Sequence, residues 1–319
     1  MQPVLEKHQF VSNFCHLDLE EAVRVNTQII LENVLENRFK AVEIIDDYTC
    51  QNSKHLLHLV CKALDDVPLI TPDLTISSKT SIDEIPGVKV EDVSLTPESN
   101  LLLVVATKVF QRSNILKQLT GALNKNGFIL SREDIDFRPN ETEGIEVLTE
   151  FTTADEKLIL CRESVAPADT KVIEVSSSSF HWLPELQKSL SRDTNIIVYA
   201  GNEQMEGILG LVKCVRREPG SDKIKCYSMM DEAPKFDPQI RFYSQQIRNN
   251  LAINIYKDGR WGTYRHLLLE EQDKIACSHC YANVTSRGEI STLRWLEGGL
   301  TEQTPLPEEK YFLKVCSRC

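Results

Sequence analysis

The residues whose types and spacing could do chemistry stand near the C-terminal end. They are Cys277 and Cys280 in "ACSHCY", with His279 between them, and Cys316 and Cys319 in "KVCSRC". Two Cys-x-x-Cys pairs are the ligand set of a tetrahedral structural zinc site. Such a site is usually built on two tight knuckles, and the glycine expected after the first pair is replaced by Tyr281. A zinc-binding interaction protein is one reading of these four residues; incidental thiols are the other. Further up the chain, Asp46-Asp47 offers the carboxylates of a general base, and His55, His58 and Cys61 offer three metal ligands. Steps of three residues make the latter drift around a helix, which suits solvated histidines and a core thiol. Paired acids in a turn that enters a helix suit a cap or a dipole partner. There is no Gly-x-Ser-x-Gly elbow and no His-Glu-x-x-His.

The chain that must position these residues has 319 of them, enough for two domains with separate cores. Its formal charge of -11 disfavours a nucleic-acid or anionic-membrane partner, because the mean field repels phosphate. No window has the roughly 18 apolar residues of a membrane span, and "MQPVLEKHQF" lacks the apolar core of a signal peptide. The expected location is cytoplasmic, where the ten cysteines would be reduced.

Apolar periodicity predicts a helix over 17–36, with Ala22, Val25, Ile29, Val34 and Leu35 on its face, followed by the strand "FKAVEII". "SKHLLHLVCKAL" reads as a helix, and "NLLLVVATKVF" as a strand buried on both faces, as in a parallel sheet. The helix "SNILKQLTGALNKN", the strand "GFILSRE" and two strands around Ala154-Asp155 complete the first half. After the polar break "ESVAPADT" come the strand "KVIEV", a helix around "LPELQKSLS" and the strand "NIIVYA". The helix "MEGILGLVKCVRREPG" carries Ile208, Leu211, Val212 and Val215 at i, i+3, i+4 and i+7, with Gly207 and Gly210 read as points of close helix packing. "KIKCYSMM" is a strand, and "LAINIYKDGRWGTYRHLLLE" two strands joined at Asp258-Gly259. Short strands alone follow residue 275, "CYANVTS" and "ISTLRWLE" around Arg287-Gly288. Alternation of strands and helices gives an α/β fold of two Rossmann-like units with a short β segment at the C-terminal end.

The order of elements over 37–163, and "LLLVVATKVFQRSNILKQLTGALNKNGFILSRE" in particular, resembles a class I methyltransferase core. That resemblance places an S-adenosylmethionine loop after "KAVEII", with an acidic residue and then Gly-x-Gly-x-Gly. Glu43 fits the acidic position, but Ile45, Asp47 and Thr49 occupy the glycine positions. Glycine is required there because the turn visits φ > 0 and its backbone approaches the ligand. The expectation is the fold without the cofactor. Residues 171–270 resemble a short-chain dehydrogenase/reductase unit, which needs a glycine-rich phosphate turn and a Tyr-x-x-x-Lys pair whose lysine lowers the tyrosine pKa. None of the eight tyrosines has lysine four residues on, and the 13 glycines contain no Gly-x-Gly.

Two degenerate enzyme folds in this order resemble the non-catalytic region of animal-type (insect-like) multifunctional fatty acid synthase. "PVLEKHQF" is similar to the linker leaving the dehydratase, "ILGLVKCVRREPG" and "INIYKDGRWGTYRHLLLEE" to the pseudo-ketoreductase, and "ANVTSRGEISTLRWLE" to the opening strands of the enoyl reductase. The resemblance implies a linker and helix over 1–36, a pseudo-methyltransferase over 37–163, a pseudo-ketoreductase over 164–275 and the first strands of an incomplete enoyl reductase over 276–319. It implies a scaffold with no catalytic, cofactor or metal residues of its own, in a parent that uses NADPH. The partners it implies are the catalytic ketoreductase and the enoyl reductase of the same polypeptide, within a homodimer. It supplies no metal to Cys277, Cys280, Cys316 and Cys319. An S-adenosylmethionine-dependent methyltransferase with an atypical loop is the enzymatic alternative.

Overall fold

The computed structural model describes residues 18–49, 54–65, 67–79, 82–140, 142–165, 170–176, 179–192, 194–201, 207–218, 221–263, 280–286 and 292–297. The chain divides into two compact units, Met1–Tyr264 and Arg265–Cys319. Among the described residues no helix is long and apolar enough to cross a membrane.

The first unit contains two sheets. A seven-stranded sheet has the order β3-β2-β1-β4-β5-β7-β6, built from β1 (Arg38–Ile45), β2 (Thr71–Ser78), β3 (Lys89–Glu91), β4 (Leu101–Thr107), β5 (Leu123–Glu133), β6 (Ile145–Thr152) and β7 (Lys157–Glu163). Strands β3, β2, β1, β4 and β5 are parallel, and β7 and β6 close the sheet as an antiparallel hairpin. Helices α1 (Leu19–Asn33), α2 (Leu56–Asp65) and α3 (Ser113–Ala122) cover it. In β4 the six residues Leu101 to Ala106 are all buried, because α1 and α2 cover Leu103 and Val105 on one face and α3 covers Val104 and Ala106 on the other. Asp18 starts α1 as an N-cap, its carboxylate accepting from Glu21 N at 2.7 Å.

The buried face of α1 differs from the periodic expectation. It consists of Ala22, Val23, Asn26, Thr27, Ile29 and Ile30, while Leu35 is 41% exposed beyond the helix end. Two polar residues lie on that face because each finds a partner: Asn26 accepts from Thr149 (2.7 Å) and Thr27 donates to Val23 O (2.9 Å).

The second sheet has the order β12-β11-β10-β9-β8, from β8 (Thr170–Glu174), β9 (Asn195–Ala200), β10 (Ile224–Met229), β11 (Ile253–Lys257) and β12 (Arg260–Gly262). The first four are parallel and β12 is an antiparallel edge. The turn into β12 uses Asp258 (φ 51°) and Gly259 (φ 72°), the double positive φ of a type I′ hairpin. Helices α4 (Trp182–Leu190) and α5 (Ile208–Val215) pack on the face of Ile196, Val198 and Cys226. Helix α6 (Arg241–Arg248) packs on the opposite face, with Tyr199, Tyr227 and Met229. The crossover from β10 to β11 therefore has the opposite hand to the two before it.

In the second unit, β13 (Cys280–Val284) pairs antiparallel with β14 (Leu293–Glu297). The expected turn at Arg287-Gly288 lies outside the described residues.

Candidate functional site

In an open α/β sheet the ligand crevice opens beyond the carboxyl ends of the strands, where strand order reverses. In the seven-stranded sheet that point lies between β1 and β4. Glu43 stands near the end of β1, 1% exposed. Its carboxylate accepts from the first two helical N–H groups of α2, Leu56 N at 3.0 Å and Leu57 N at 2.9 Å. These are orphan donors of a helix start, so Glu43 acts as a cap supplied from a neighbouring strand. Burial raises its pKa above the usual carboxylate range, against the pull of those two N–H groups and of Arg132. Arg132 lies 3.8 Å away and is committed elsewhere: it grips Glu156 through two bonds of 2.6 and 2.7 Å and donates to Lys54 O at 2.8 Å. Both oxygens of Glu43 are thus spent inside the protein.

The turn after β1 is closed by its own residues and by the next loop. Ile45 packs against the core under α1 and α2. The Asp46 carboxylate accepts from Tyr48 N (3.1 Å) and from Arg112 (2.6 Å). Thr49 N donates to Asp46 O at 2.9 Å, and the Thr49 hydroxyl meets that of Thr107, the last residue of β4, at 3.4 Å. The Arg112 guanidinium lies 4.4 Å over the Tyr48 ring. An ion pair, a stacked ring and a hydroxyl pair therefore tie the end of β1 to that of β4 across the switch point. Asp47 points outward, exposed. The cap expected of Asp46-Asp47 is supplied by Glu43 instead, and Asp46 serves as an anchor for Arg112.

His55 precedes α2 half-buried, His58 is exposed, and the half-buried Cys61 thiol is raised in pKa by burial and by Asp65. No group of three His, Cys, Asp or Glu residues poised for a metal ion occurs among the described residues. Cys280 opens β13, while Cys277, Cys316 and Cys319 lie outside the described residues.

The corresponding end of the second sheet is dominated by rings. Phe236 contacts Tyr243 (4.5 Å between centroids), Tyr199 (4.9 Å) and Tyr227 (5.5 Å), and Phe242 contacts Trp261 (5.1 Å). The Tyr243 hydroxyl donates to Pro234 O, whereas that of Tyr227 is buried without a partner. Burial raises the pKa of Tyr199, Tyr227 and Tyr243. A tyrosine that passes a proton at neutral pH needs the opposite shift. Beside Phe236 a cavity of about 430 Å³ is lined by Val172, Lys235, Phe236, Asp237, Pro238 and Ile240.

The glycine expectation is overturned here. Gly207 begins α5 at φ 98°, and neither at Gly207 nor at Gly210 would a Cβ meet any atom within 4 Å. Gly207 serves the backbone turn, and Gly210 is exposed on the solvent side of the helix, opposite Ile208 and Val212.

Two solved structures show a slight likeness to the chain. One is mitomycin 7-O-methyltransferase, at 13% identity and TM-score 0.29, with 45% of this chain and 54% of that one covered. The chain thus spans about half the length of that structure. The other is a phosphoethanolamine N-methyltransferase of Haemonchus contortus, at 10% identity and TM-score 0.26, with 75% of each chain covered. These likenesses are too slight to bear on fold or activity. The stretch that includes α4, β9, α5, β10, α6, β11 and β12 gives a firmer result: residues 179–269 match the family model of the fatty acid synthase pseudo-KR domain, which supports a fatty acid synthase region here.

Proposed function

We propose that this chain is a structural, non-catalytic segment of a fatty acid synthase, holding the ketoreductase and enoyl reductase in place. The observation that carries the reading is the pseudo-KR match over 179–269, laid on a sheet whose parallel strands run β8-β9-β10-β11 without reversal. A dinucleotide site needs two halves that meet at a reversal. The seven-stranded sheet is the pseudo-methyltransferase of this reading, its crevice taken by the Arg112–Asp46 pair and its acidic residue by the start of α2. On this view Glu43, Ile45, Asp47 and Thr49 hold no S-adenosylmethionine, and the four C-terminal cysteines hold no zinc. NADPH binds to the parent's reductases, and the setting is a cytoplasmic homodimer. The division into 1–36, 37–163, 164–275 and 276–319 follows the same reading.

Calorimetric titration of the chain with S-adenosylmethionine and with NADPH tests it. The expected result is no heat of binding at millimolar ligand. Micromolar affinity for S-adenosylmethionine would replace this reading with the methyltransferase alternative, and stoichiometric zinc in protein purified without chelator would replace it with the interaction protein. A second arm mixes the chain with the separately produced ketoreductase domain. A stable complex on size exclusion supports the scaffold role; two independent peaks at tens of micromolar count against it.

A further inference from the structure

Within the first unit, three cations gather where the two sheets meet, two of them buried. Arg162 of β7 is 2% exposed and Arg216, which ends α5, is 5% exposed; Lys225 of β10 is half-buried. Each of their hydrogen bonds goes to a neutral amide oxygen. Arg162 donates to Asn250 O (3.3 Å), and Lys225 donates to the side-chain oxygen of the same Asn250. Arg216 donates to Asp222 O (2.7 Å), Ile224 O (2.8 Å) and Asn33 O (3.2 Å). Asn33, at the end of α1, accepts the Ala252 N–H at 2.6 Å. The Nε of Arg162 has no partner, and its guanidinium lies 4.7 Å over the Phe128 ring. Asn33 and Asn250 thus bridge the first sheet's layer to the second, and three positive charges converge on them.

The acids nearby act elsewhere or from a distance. Glu32 of α1 lies 4.0 Å from Lys213 of α5, Glu146 of β6 pairs with Arg248 of α6 at 3.1 Å, and the carboxylates of Asp222 and Glu32 act on Arg216 through charge. A guanidinium keeps its proton, whereas a buried ammonium sheds it. A neutral amine can still donate to Asn250, so proton loss from Lys225 keeps the bond and removes the repulsion.

We propose that Arg162, Arg216 and Lys225, closed over Asn33 and Asn250, form a proton-sensitive clasp between the two sheets, which tightens when Lys225 becomes neutral. Burial first, then the charges of Arg162 and Arg216, pull the lysine down to about 8 from the ordinary 10.5. Between those values the opened chain holds a proton that the closed one lacks, so the clasp strengthens as pH rises through that window and weakens as it falls toward 8.

The test is hydrogen exchange at the Ala252 amide in the full chain, corrected for intrinsic base catalysis, at pH 7 and pH 9. Native chain should gain about tenfold in protection over that interval. Lys225→Met should show the higher protection at both values. Direct titration of isotopically labelled lysine, assigned with Lys225→Arg, supplies a readout that needs no Met variant. It should place Lys225 near 8 and move upward in Arg162→Met. A Lys225 that titrates in the ordinary lysine range, or Ala252 protection indifferent to its charge, would overturn the proposal.

Discussion

The ends of the two sheets are closed by different means. In the seven-stranded sheet the strand order still reverses between β1 and β4, and side chains close the gap: Arg112 on Asp46 and Tyr48, Thr49 on Thr107. In the five-stranded sheet the order runs in one direction, and aromatic packing around Phe236, shared with Tyr243 of α6, fills one face. The first arrangement keeps the topology of a ligand crevice and differs from an open one by a few side chains. The second lacks the reversal itself, which no point substitution restores. On the reading proposed above, the two halves would have lost ligand binding by separate routes.

Glu43→Ala is the sharpest way to break the first arrangement. It leaves two helix N–H groups of α2 unsatisfied and Arg132 less compensated, and should cost about 3–5 kcal/mol in denaturant unfolding. Glu43→Gln, which keeps one of the two acceptors and removes a buried charge, should cost less. Equal losses in the two variants would refute the capping role. In the second sheet Phe236→Ala removes the ring shared by Tyr199, Tyr227 and Tyr243 and should cost about 2–3 kcal/mol, the residue being partly exposed.

The tyrosines refine the comparison further. Tyr243→Phe loses the bond to Pro234 O and should destabilise by about 1 kcal/mol. Tyr227→Phe removes a buried hydroxyl that has no partner and should be neutral or stabilising. A loss at Tyr227 as large as that at Tyr243 would mean that its hydroxyl does have a partner. The smallest effects belong to α5. Gly210→Ala should raise stability by about 0.5–1 kcal/mol, and Gly207→Ala, at positive φ, should lower it by about 1 kcal/mol. Thermal melts of the pair decide whether Gly210 serves helix packing after all, since a packing role would make alanine destabilising there.

The strands buried on both faces were legible in the sequence because a run such as Leu101–Ala106 leaves no other use for six apolar residues. The hairpin at Asp258-Gly259 was legible from its turn chemistry. Strands β2 and β3 were not. Pro72 interrupts the pattern of β2, and it is tolerated because β3 pairs only with Thr75–Ser77, leaving that part of β2 at a free edge. Helix α6 escaped notice because its buried face contains Gln246, which is paired with Asn254 at 2.7 Å, and periodicity counts only apolar residues. At the candidate site the sequence located Glu43 and the missing glycines. It gave no sign of Arg112, which lies 66 residues from Asp46 and reaches it only through the β4 crossover. An arginine in a loop after a strand has no local pattern to announce its partner.

Leu251 belongs to the core of the seven-stranded sheet although it lies just before β11, and Ala252 beside it is held by Asn33. The last strand of that sheet ends at Glu163, so its packing is completed by a residue synthesised much later. At the usual pace of translation the delay is on the order of 5–20 s. During it, the surface that Leu251 will cover is left without that side chain. Vectorial synthesis therefore couples the two sheets in time, and the N-terminal half reaches its final form only when the second sheet's last crossover has been made.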